Sequence, residues 1–325
     1  MTRKSRSLRS PLPQRDGVDA VRLKLPADGA WATVRDHLVE RLAPGPEVID
    51  GMLAAGEFVT ADGPLAPDAP YAGGQLIWFH RELAPEHPVP FPIDVLYQDE
   101  HLVIADKPHF LATTPRGSHI TQTALARLRT ELGLPQLSAA HRLDRLTAGV
   151  VMFIVRPEER GSYQTLFSDK AVRKEYEAVA PYQPDLALPR TVTSRIEKVR
   201  GVIAASEVTG EPNAESHIEL LGHRTVAGHA PTRLGHYRLR PRTGRTHQLR
   251  VHMNALGLPL LGDPVYPVVL DQPAPEDFSR PLQLLATSLE FTDPVTGRDH
   301  HFTTRRTLQA WDAYEAWLGN PGTPD

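Results

Sequence analysis

A carboxylate flanked by arginines is the sharpest chemical feature of the sequence. Asp144 lies in HRLDRL, residues 141–146, with Arg142 two positions before it and Arg145 directly after it. Nearby positive charge favours the ionised form of a carboxylate, so we expect Asp144 to be charged at neutral pH. An ionised carboxylate suits a nucleophile or a weak base, whereas a general acid needs an apolar pocket to hold its proton. On spacing alone, a surface cluster of salt bridges is the simpler interpretation.

A second chemical segment, residues 240–261, combines arginines with a predicted helix start. Gly244 allows a tight turn, Thr246 is placed to cap a helix, and Gly257 is placed to end it. The helix would bury Leu249, Met253 and Leu256, and its other face would carry His247, Arg250 and Asn254. Arginines beside free backbone N–H groups suit a phosphate or a carboxylate. The alternative is a helix with a polar exterior and no ligand.

We expect no metal and no cofactor. The chain has no cysteine, which excludes disulfides, thiolate catalysis and cysteine-ligated metals. His247 and His252 are five positions apart, which is the wrong spacing for a helical metal pair, and no glutamate follows as in zinc proteases. No convincing phosphate-binding glycine loop or dinucleotide fingerprint is present.

The charge distribution is uneven. The 325 residues include 36 basic and 39 acidic ones, a net charge of −3, which argues mildly against a nucleic-acid partner. Residues 223–252, however, contain seven arginines, five histidines and no acid. Phosphate binding depends on the local field, which extends only about 10 Å at moderate salt. The alternative is a solvated loop in a chain that prefers arginine to lysine.

The first part of the chain predicts a small helical module. Apolar stripes predict helices over Thr33–Leu42 and Pro46–Ala55, and Gly56 is placed to end the second. With the strand EFVT, they form a helix–helix–strand module over residues 21–85, after a disordered basic tail over residues 1–20. The module is a candidate degenerate RNA-binding unit, or an accessory module that packs on the next domain.

A proline-rich connector follows the module. Residues 83–92 contain four prolines, a composition that favours an extended connector. Beyond it, helices and strands alternate, and strands dominate later, as in KEYEAVA, SHIELLG, HYRLRP and TSLEFTD. We predict a mixed α/β domain over residues 86–318 and a short tail over residues 319–325.

No apolar run approaches the roughly 18 residues that a membrane span needs. The longest, Gly149–Val155, suits a buried strand. The basic N-terminus is not followed by an apolar segment and does not resemble a secretion signal. We expect a cytoplasmic protein without membrane contact, and a monomer.

Five segments together resemble the RluA-type RNA pseudouridine synthases. They are, in order, DEHLVIADKP, HRLD with its small-residue turn, KEYEAVA, GRTHQLRVH and GDPVY, and the resemblance covers about residues 89–304. It implies an α+β fold, with a largely antiparallel mixed sheet flanked by helices. It also implies isomerisation of uridine to pseudouridine in ribosomal or transfer RNA, without a nucleotide cofactor.

The resemblance also implies residue roles. Asp144 matches the catalytic aspartate, Tyr176 the tyrosine that stacks on the uracil, and Arg250 the arginine that pairs with the aspartate. Arg142 matches the side chain that fills the space left by the flipped nucleotide. The further residues expected to bind substrate are His141, Arg242, Arg245, His247 and Leu261. Leu261 would help to wall the pocket. The two arginines, together with Arg238 and Arg240, would bind the RNA backbone.

Two departures from the family pattern bear on substrate choice. Leu146 and Ala148 stand where the family usually has aspartate and serine, and the loop KPHFLATTP lacks the usual glycine-rich form. A catalytically silent RNA-binding or assembly factor on the same fold is therefore an alternative. A nucleoside or sugar hydrolase is a second alternative, but it requires a second carboxyl group. The motifs supply no such group.

Overall fold

The computed structural model describes residues 10–42, 44–227, 232–270, 274 and 277–319. The chain divides into two compact units, residues 1–85 and residues 86–325. Each unit is described by itself. None of the described helices has the length and apolar character that crossing a membrane requires.

The first unit packs two helices on a small antiparallel sheet. Its elements are β1 (Val21–Lys24), α1 (Val34–Arg41), α2 (Pro46–Ala54), β2 (Val59–Thr60), β3 (Gly63–Pro64) and β4 (Leu76–Phe79), and the strand order is β1-β4-β2-β3. Thr33 and Asp36 form a capping box at the start of α1. Leu38, Ile49 and Phe58 are among the side chains that fill the core. Both predicted helices are confirmed, and β1, β3 and β4 were not predicted.

Residues 10–20 belong to the predicted basic tail but adopt a defined conformation. Arg15 and Val18 exchange backbone hydrogen bonds, and Ala20 is buried beside Trp78. The remainder of that predicted tail, residues 1–9, lies outside the described residues. So do residues 320–325 of the predicted C-terminal tail.

The second unit is built on one eleven-stranded sheet. Its strands are β5 (Asp94–Gln98), β6 (Leu102–Lys107), β7 (Ser138–Ala139), β8 (Ala148–Ile154), β9 (Arg173–Pro181), β10 (Arg190–Glu197), β11 (Ser206–Val208), β12 (Ala214–Val226), β13 (Thr232–Pro241), β14 (Leu284–Thr292) and β15 (Asp299–Thr303). The main order is β11-β10-β12-β13-β9-β14-β8-β6-β5, while β15 pairs with β14 and β7 with β8.

Five helices accompany this sheet in the part of the unit that the structure describes. They are α3 (Ala124–Glu131), α4 (Arg160–Ser168), α5 (Gln248–Ala255), α6 (Gln309–Asp312) and α7 (Tyr314–Leu318), with a 3-10 turn before α4. Among the described strands, only β8 and β14 pair in parallel. The α+β fold with a largely antiparallel mixed sheet is therefore confirmed.

Strand β8 is buried on both faces. Val151 and Phe153 pack into one hydrophobic core, whereas Val150 and Met152 pack into another on the opposite face. Side chains alternate between the two faces of a strand, so an apolar run of this length occupies both cores. This burial fixes the start of β8, and with it the preceding segment that carries Asp144.

One row of residues crosses the sheet at that end of β8. Backbone pairing aligns Lys107 with Gly149, Gly149 with Ala286, Ala286 with Tyr176, and Tyr176 with Leu239. The sheet therefore brings together segments that are far apart in the sequence, including the two that contain Lys107 and Tyr176.

Gly149 permits the close approach of β8 and β14. Its φ is +111°, and a Cβ atom there would lie 2.2 Å from the Ala286 carbonyl oxygen. We expect Gly149→Ala to lower the free energy of unfolding by about 3 kcal/mol. In urea denaturation, the control Gly161→Ala in α4, where a Cβ meets nothing within 4 Å, should be neutral or stabilising. Equal stability of the two variants would contradict this account.

Candidate active site

A cavity of about 640 Å³ opens at this end of the sheet. Most of its lining comes from residues 112–119, 141–147, 174–176 and 241–250. The lining contains five arginines, one lysine and three histidines, and Asp144 is its only carboxylate among the described residues. The volume is within the range of small-molecule sites. The cavity therefore suits a ligand of that size that carries negative charge.

Asp144 is held by its neighbours and still reaches the cavity. The Thr113 hydroxyl accepts from the Leu143 N–H at 3.1 Å and donates to the Leu143 carbonyl at 2.8 Å. The Thr147 N–H donates to the Asp144 carbonyl, which closes a turn before β8. The Asp144 side chain is 34% exposed. A carboxylate that is both fixed and accessible can react with a bound group.

Arg250 lies between two carboxylates. Its guanidinium donates two hydrogen bonds to Asp263, at 2.7 and 2.6 Å, and its Nη1 lies 3.7 Å from Oδ2 of Asp144. The Arg250 side chain is only 3% exposed, so the predicted polar exterior of this helix is wrong at that position. Burial acts to lower the pKa of Arg250, but the hydrogen bonds and charge of Asp263 raise it above its ordinary value.

His247 links Asp144 to Tyr266. Its Nε2 lies 4.0 Å from Oδ2 of Asp144, and its Nδ1 is 3.0 Å from the Tyr266 hydroxyl. Burial lowers the pKa of His247, while Asp144 acts in the opposite direction. His247, with a left-handed φ of +56°, precedes α5 in place of the predicted cap Thr246. The Gln248 side chain instead accepts from the Arg245 N–H at 3.0 Å.

Tyr176 lies in the cavity wall between two hydrophobic cores. It is partly buried and packs against both of them. Burial, followed by the negative charge of Asp144, raises the pKa of the phenol. The ring is therefore neutral at physiological pH and can stack on a planar ligand.

Comparisons with known proteins agree on the family. A family model described as RNA pseudouridylate synthase matches residues 101–255. The chain is 30% identical over 290 residues to ribosomal large subunit pseudouridine synthase D of Vibrio vulnificus, covering 82% of each chain. The chain belongs to the RluA-type RNA pseudouridine synthases.

Other relatives agree with this membership. The chain is 29% identical to the dual-specificity RNA pseudouridine synthase RluA of Haemophilus influenzae, covering 66% of this chain and 93% of that one. It is 31% identical to the Escherichia coli K12 synthase D, but the match spans only 61% of that relative. The solved structure titled Human RNA Pseudouridylate Synthase Domain Containing 1 has a TM-score of 0.51 at 21% identity, covering 72% of this chain and 97% of its own. That likeness concerns the fold alone.

Lys107 is a residue of this pseudouridine synthase for which the sequence predicted no role. Its ammonium group is fully buried and donates to the carbonyls of Pro108, Leu111 and Arg145, at 3.0, 2.7 and 3.4 Å. Burial lowers its pKa to about 7, and Asp144 acts in the opposite direction. Lys107 thus ties the loop after β6 to the segment that carries Asp144. A lysine at the end of a mostly apolar strand, LVIADK, was the available signal.

Three of the predicted substrate-binding residues besides His247 line the cavity. The exposed side chain of Arg142 borders it, as does Arg245, whose Nε donates to the Asn213 carbonyl. His141 stacks on Phe167 with ring centroids 4.6 Å apart, and its Nε2 accepts from the Met152 N–H. Burial lowers the pKa of His141 to about 3. His141 is therefore neutral at physiological pH and holds the wall of the cavity.

The remaining predictions for this site fall elsewhere. Arg242 is absent from the cavity lining and pairs with Glu215 at 3.5 Å. Leu261 packs against a hydrophobic core and does not line the cavity, so its predicted wall position is wrong. Arg238 and Arg240 are shared by Glu175 and Glu219, acids from the two neighbouring strands.

Both departures from the family pattern occupy packed positions. Ala148 is fully buried, Leu146 packs against two hydrophobic cores, and neither lines the cavity. In the loop after Lys107, Phe110 adopts a left-handed φ of +65°, a conformation that favours glycine. Its ring packs against Phe91 and Phe278, with centroids 6.2 and 5.4 Å away. Aromatic packing thus stabilises a backbone conformation that glycine would adopt freely.

The Arg250–Asp263 pair allows a test of the buried charges. Asp263→Asn leaves the buried Arg250 with only the more distant charge of Asp144, so it should lower the free energy of unfolding by about 3 kcal/mol. The amide oxygen of the introduced asparagine would still accept from the Val265 and Tyr266 N–H groups that now bond Asp263. Adding Arg250→Met should therefore recover part of the loss in urea denaturation. If the loss in the double variant equals the sum of the losses in Asp263→Asn and Arg250→Met alone, the predicted coupling is contradicted.

A second test concerns His109, whose Nδ1 lies 2.6 Å from the Leu146 carbonyl oxygen. Burial lowers its pKa from 6.5 to about 4. As pH falls, the unfolded chain binds this proton first, so the stability from His109 is complete above pH 6.5 and is lost toward pH 4.

When the pH is lowered from 7 to 4.5, the free energy of unfolding should therefore fall by about 2 kcal/mol less in His109→Gln than in the wild type. Urea denaturation at both pH values measures the difference. The control His301→Gln, at an exposed position, should follow the wild type. The same pH dependence in His109→Gln and wild type would refute the role of His109.

Proposed function

We propose that this enzyme isomerises uridine to pseudouridine in ribosomal or transfer RNA, with Asp144 as the catalytic carboxylate. The observation that carries the proposal is the position of Asp144, the single carboxylate among the described residues of a strongly basic cavity, 3.7 Å from the buried Arg250. A basic lining attracts the phosphates of RNA, although the whole chain has a net charge of −3.

The reaction requires a carboxylate beside the ribose. The bond from carbon 1′ to N1 of uracil breaks, the base turns, carbon 5 bonds to carbon 1′, and carbon 5 gives up a proton while N1 gains one. Asp144 can attack carbon 1′ to form an ester, or it can remove the carbon 2′ proton to form a glycal. Both routes need an ionised and oriented side chain, which the positive charge of Arg250 favours.

The uridine must leave its stack to reach the cavity. Unstacking costs a few kcal/mol, which stacking on an aromatic ring and a side chain in the gap can offset. We assign the stacking role to Tyr176 and the gap-filling role to Arg142, which borders the cavity from an exposed position. Arg145, Lys174 and Arg245 also line the cavity and are placed to contact phosphates.

The lining argues against hydrolysis. A glycosidase uses two carboxyl groups about 5 to 10 Å apart. Among the described residues that line this cavity, Asp144 is the only acid. Uracil freed at carbon 1′ would therefore meet no second carboxylate that activates water, and recapture through carbon 5 is favoured.

Substitution of Asp144 tests the proposed catalysis. Asp144→Asn keeps the size of the side chain but removes its charge, so we expect pseudouridine formation to stop and RNA affinity to change less than twofold. Modification mapping of RNA incubated with each protein measures the first, and filter binding the second. Glu158→Gln, outside the cavity, is the matched control.

The same mapping separates the enzyme from the silent RNA-binding factor. Cells that lack the gene should lose pseudouridine at specific positions, and the wild-type gene but not Asp144→Asn should restore it. If every pseudouridine persists without the gene, or if the variant restores them, the catalytic proposal is wrong. The cytoplasmic location, the monomeric state and RNA contact by the first unit stay predictions.

A further inference from the structure

We propose that Tyr182, His223 and Arg233 form a second RNA contact, which stacks on an unpaired base outside the catalytic cavity. This inference rests on the proposed function, because it takes RNA as the substrate. It accounts for part of the arginine- and histidine-rich stretch, residues 223–252, that the catalytic site does not use.

The three side chains form a layered stack. The Tyr182 and His223 rings lie 4.1 Å apart and only 11° from parallel. The Arg233 guanidinium lies 4.8 Å from the centre of the Tyr182 ring. A parallel ring at 4.1 Å leaves no room for a guanidinium on the same face of Tyr182, so we infer that Arg233 lies over the other face. The outer planes of the imidazole and the guanidinium, both on exposed residues, are then the surfaces on which a base can stack.

The stack lies on the same face of the sheet as the catalytic tyrosine. Tyr176, Ala178 and Ala180 point to one face of β9 because side chains alternate along a strand, and Tyr182 continues this alternation directly after the strand. Tyr176 and Tyr182 are six residues apart, which corresponds to about 20 Å. The stack is thus too far from Asp144 to contact the target uridine, but it can contact the same RNA several nucleotides away.

A β-bulge brings His223 to this face. The pairing of β12 with β13 shifts between Leu220 and Gly222, so that Leu220 pairs with Tyr237 but Gly222 pairs with His236. Without the shift, His223 would point to the opposite face. Bulges frequently re-aim a side chain at a functional position. Here the re-aimed side chain completes the stack.

Charge distinguishes Arg233 from the other arginines of its strand. Arg238 and Arg240 share Glu175 and Glu219 on the opposite face. Arg233 forms no ion pair among the described residues, and its guanidinium lies over the Tyr182 ring. Its charge is therefore available to a phosphate. A cation beside stacked rings is the combination by which proteins bind single-stranded RNA without reading its sequence.

The test measures binding of two fluorescein-labelled single-stranded RNAs. The long RNA has about twenty nucleotides with a uridine at its centre, and the short RNA consists of about four nucleotides around that uridine. We expect Tyr182→Ala and His223→Ala to weaken binding of the long RNA about tenfold. Their affinity for the short RNA should equal that of the wild type, because so short an RNA binds at the cavity without reaching the stack. Arg233→Gln should also lower the salt dependence of binding to the long RNA by about 0.7 in log–log slope.

Conservative variants and a matched control separate stacking from folding. Tyr182→Phe and His223→Phe keep flat rings and should bind the long RNA as the wild type does. Arg173→Gln, on β9 but on the opposite face, where it pairs with Glu290, should also leave affinity unchanged. Thermal unfolding of each variant identifies any loss of folding, and His223→Ala, at an exposed position, remains informative if Tyr182→Ala unfolds.

Each outcome bears on one proposal. If the wild type binds the long RNA and forms pseudouridine, but all three variants bind as it does, this inference is overturned and the proposed function stands. If the wild type neither binds nor modifies RNA, the proposed function itself fails. Equal loss of affinity for the short and the long RNA would also overturn the inference, because the stack would then act through the cavity.

Discussion

The site depends on the buried guanidinium of Arg250, which interacts with two carboxylates at once. Asp263, whose side chain is completely buried, makes both hydrogen bonds to Arg250, and Asp144 receives only the remaining attraction at 3.7 Å. A carboxylate that accepts two hydrogen bonds from one arginine, in a bidentate pair, would be held firmly and shielded from a substrate. Because Asp263 occupies that position, Asp144 stays close to the positive charge and still faces the cavity. The surrounding chain, including the Tyr266 ring 5.2 Å from the guanidinium, keeps this arrangement in place.

The sheet explains how distant segments reach the same cavity. Its pairing aligns the end of β6, the start of β8 and the middle of β9, so Lys107 and Tyr176 lie in one row beside the segment of Asp144. Lys107 holds three carbonyls around that segment. Strands with buried side chains thus position the site, and Asp144 itself lies on a short turn. Such a turn is held accurately only because its two ends are fixed.

Local periodicity predicted the two helices of the first unit, whereas the fold class and the grouping of Asp144, Tyr176 and Arg250 were expected from the resemblance of five motifs to a family. The sequence did not predict which partner each arginine takes. Arg238 and Arg240 meet glutamates of neighbouring strands, and that choice depends on sheet register, which no local pattern specifies. Thr246 has the chemistry of a helix cap, yet the Gln248 side chain bonds the turn and His247 takes the left-handed position. Leu261 is apolar, and a core competes with a cavity wall for such a residue.

The concentration of cations in the cavity affects how a polyanion first meets this enzyme. The chain carries net negative charge, yet five arginines and one lysine surround a single acid among the described residues of the cavity. At low ionic strength, an RNA that approaches from another direction is repelled on average, and one that approaches the cavity is drawn in. Productive encounters are thereby enriched before any base is recognised.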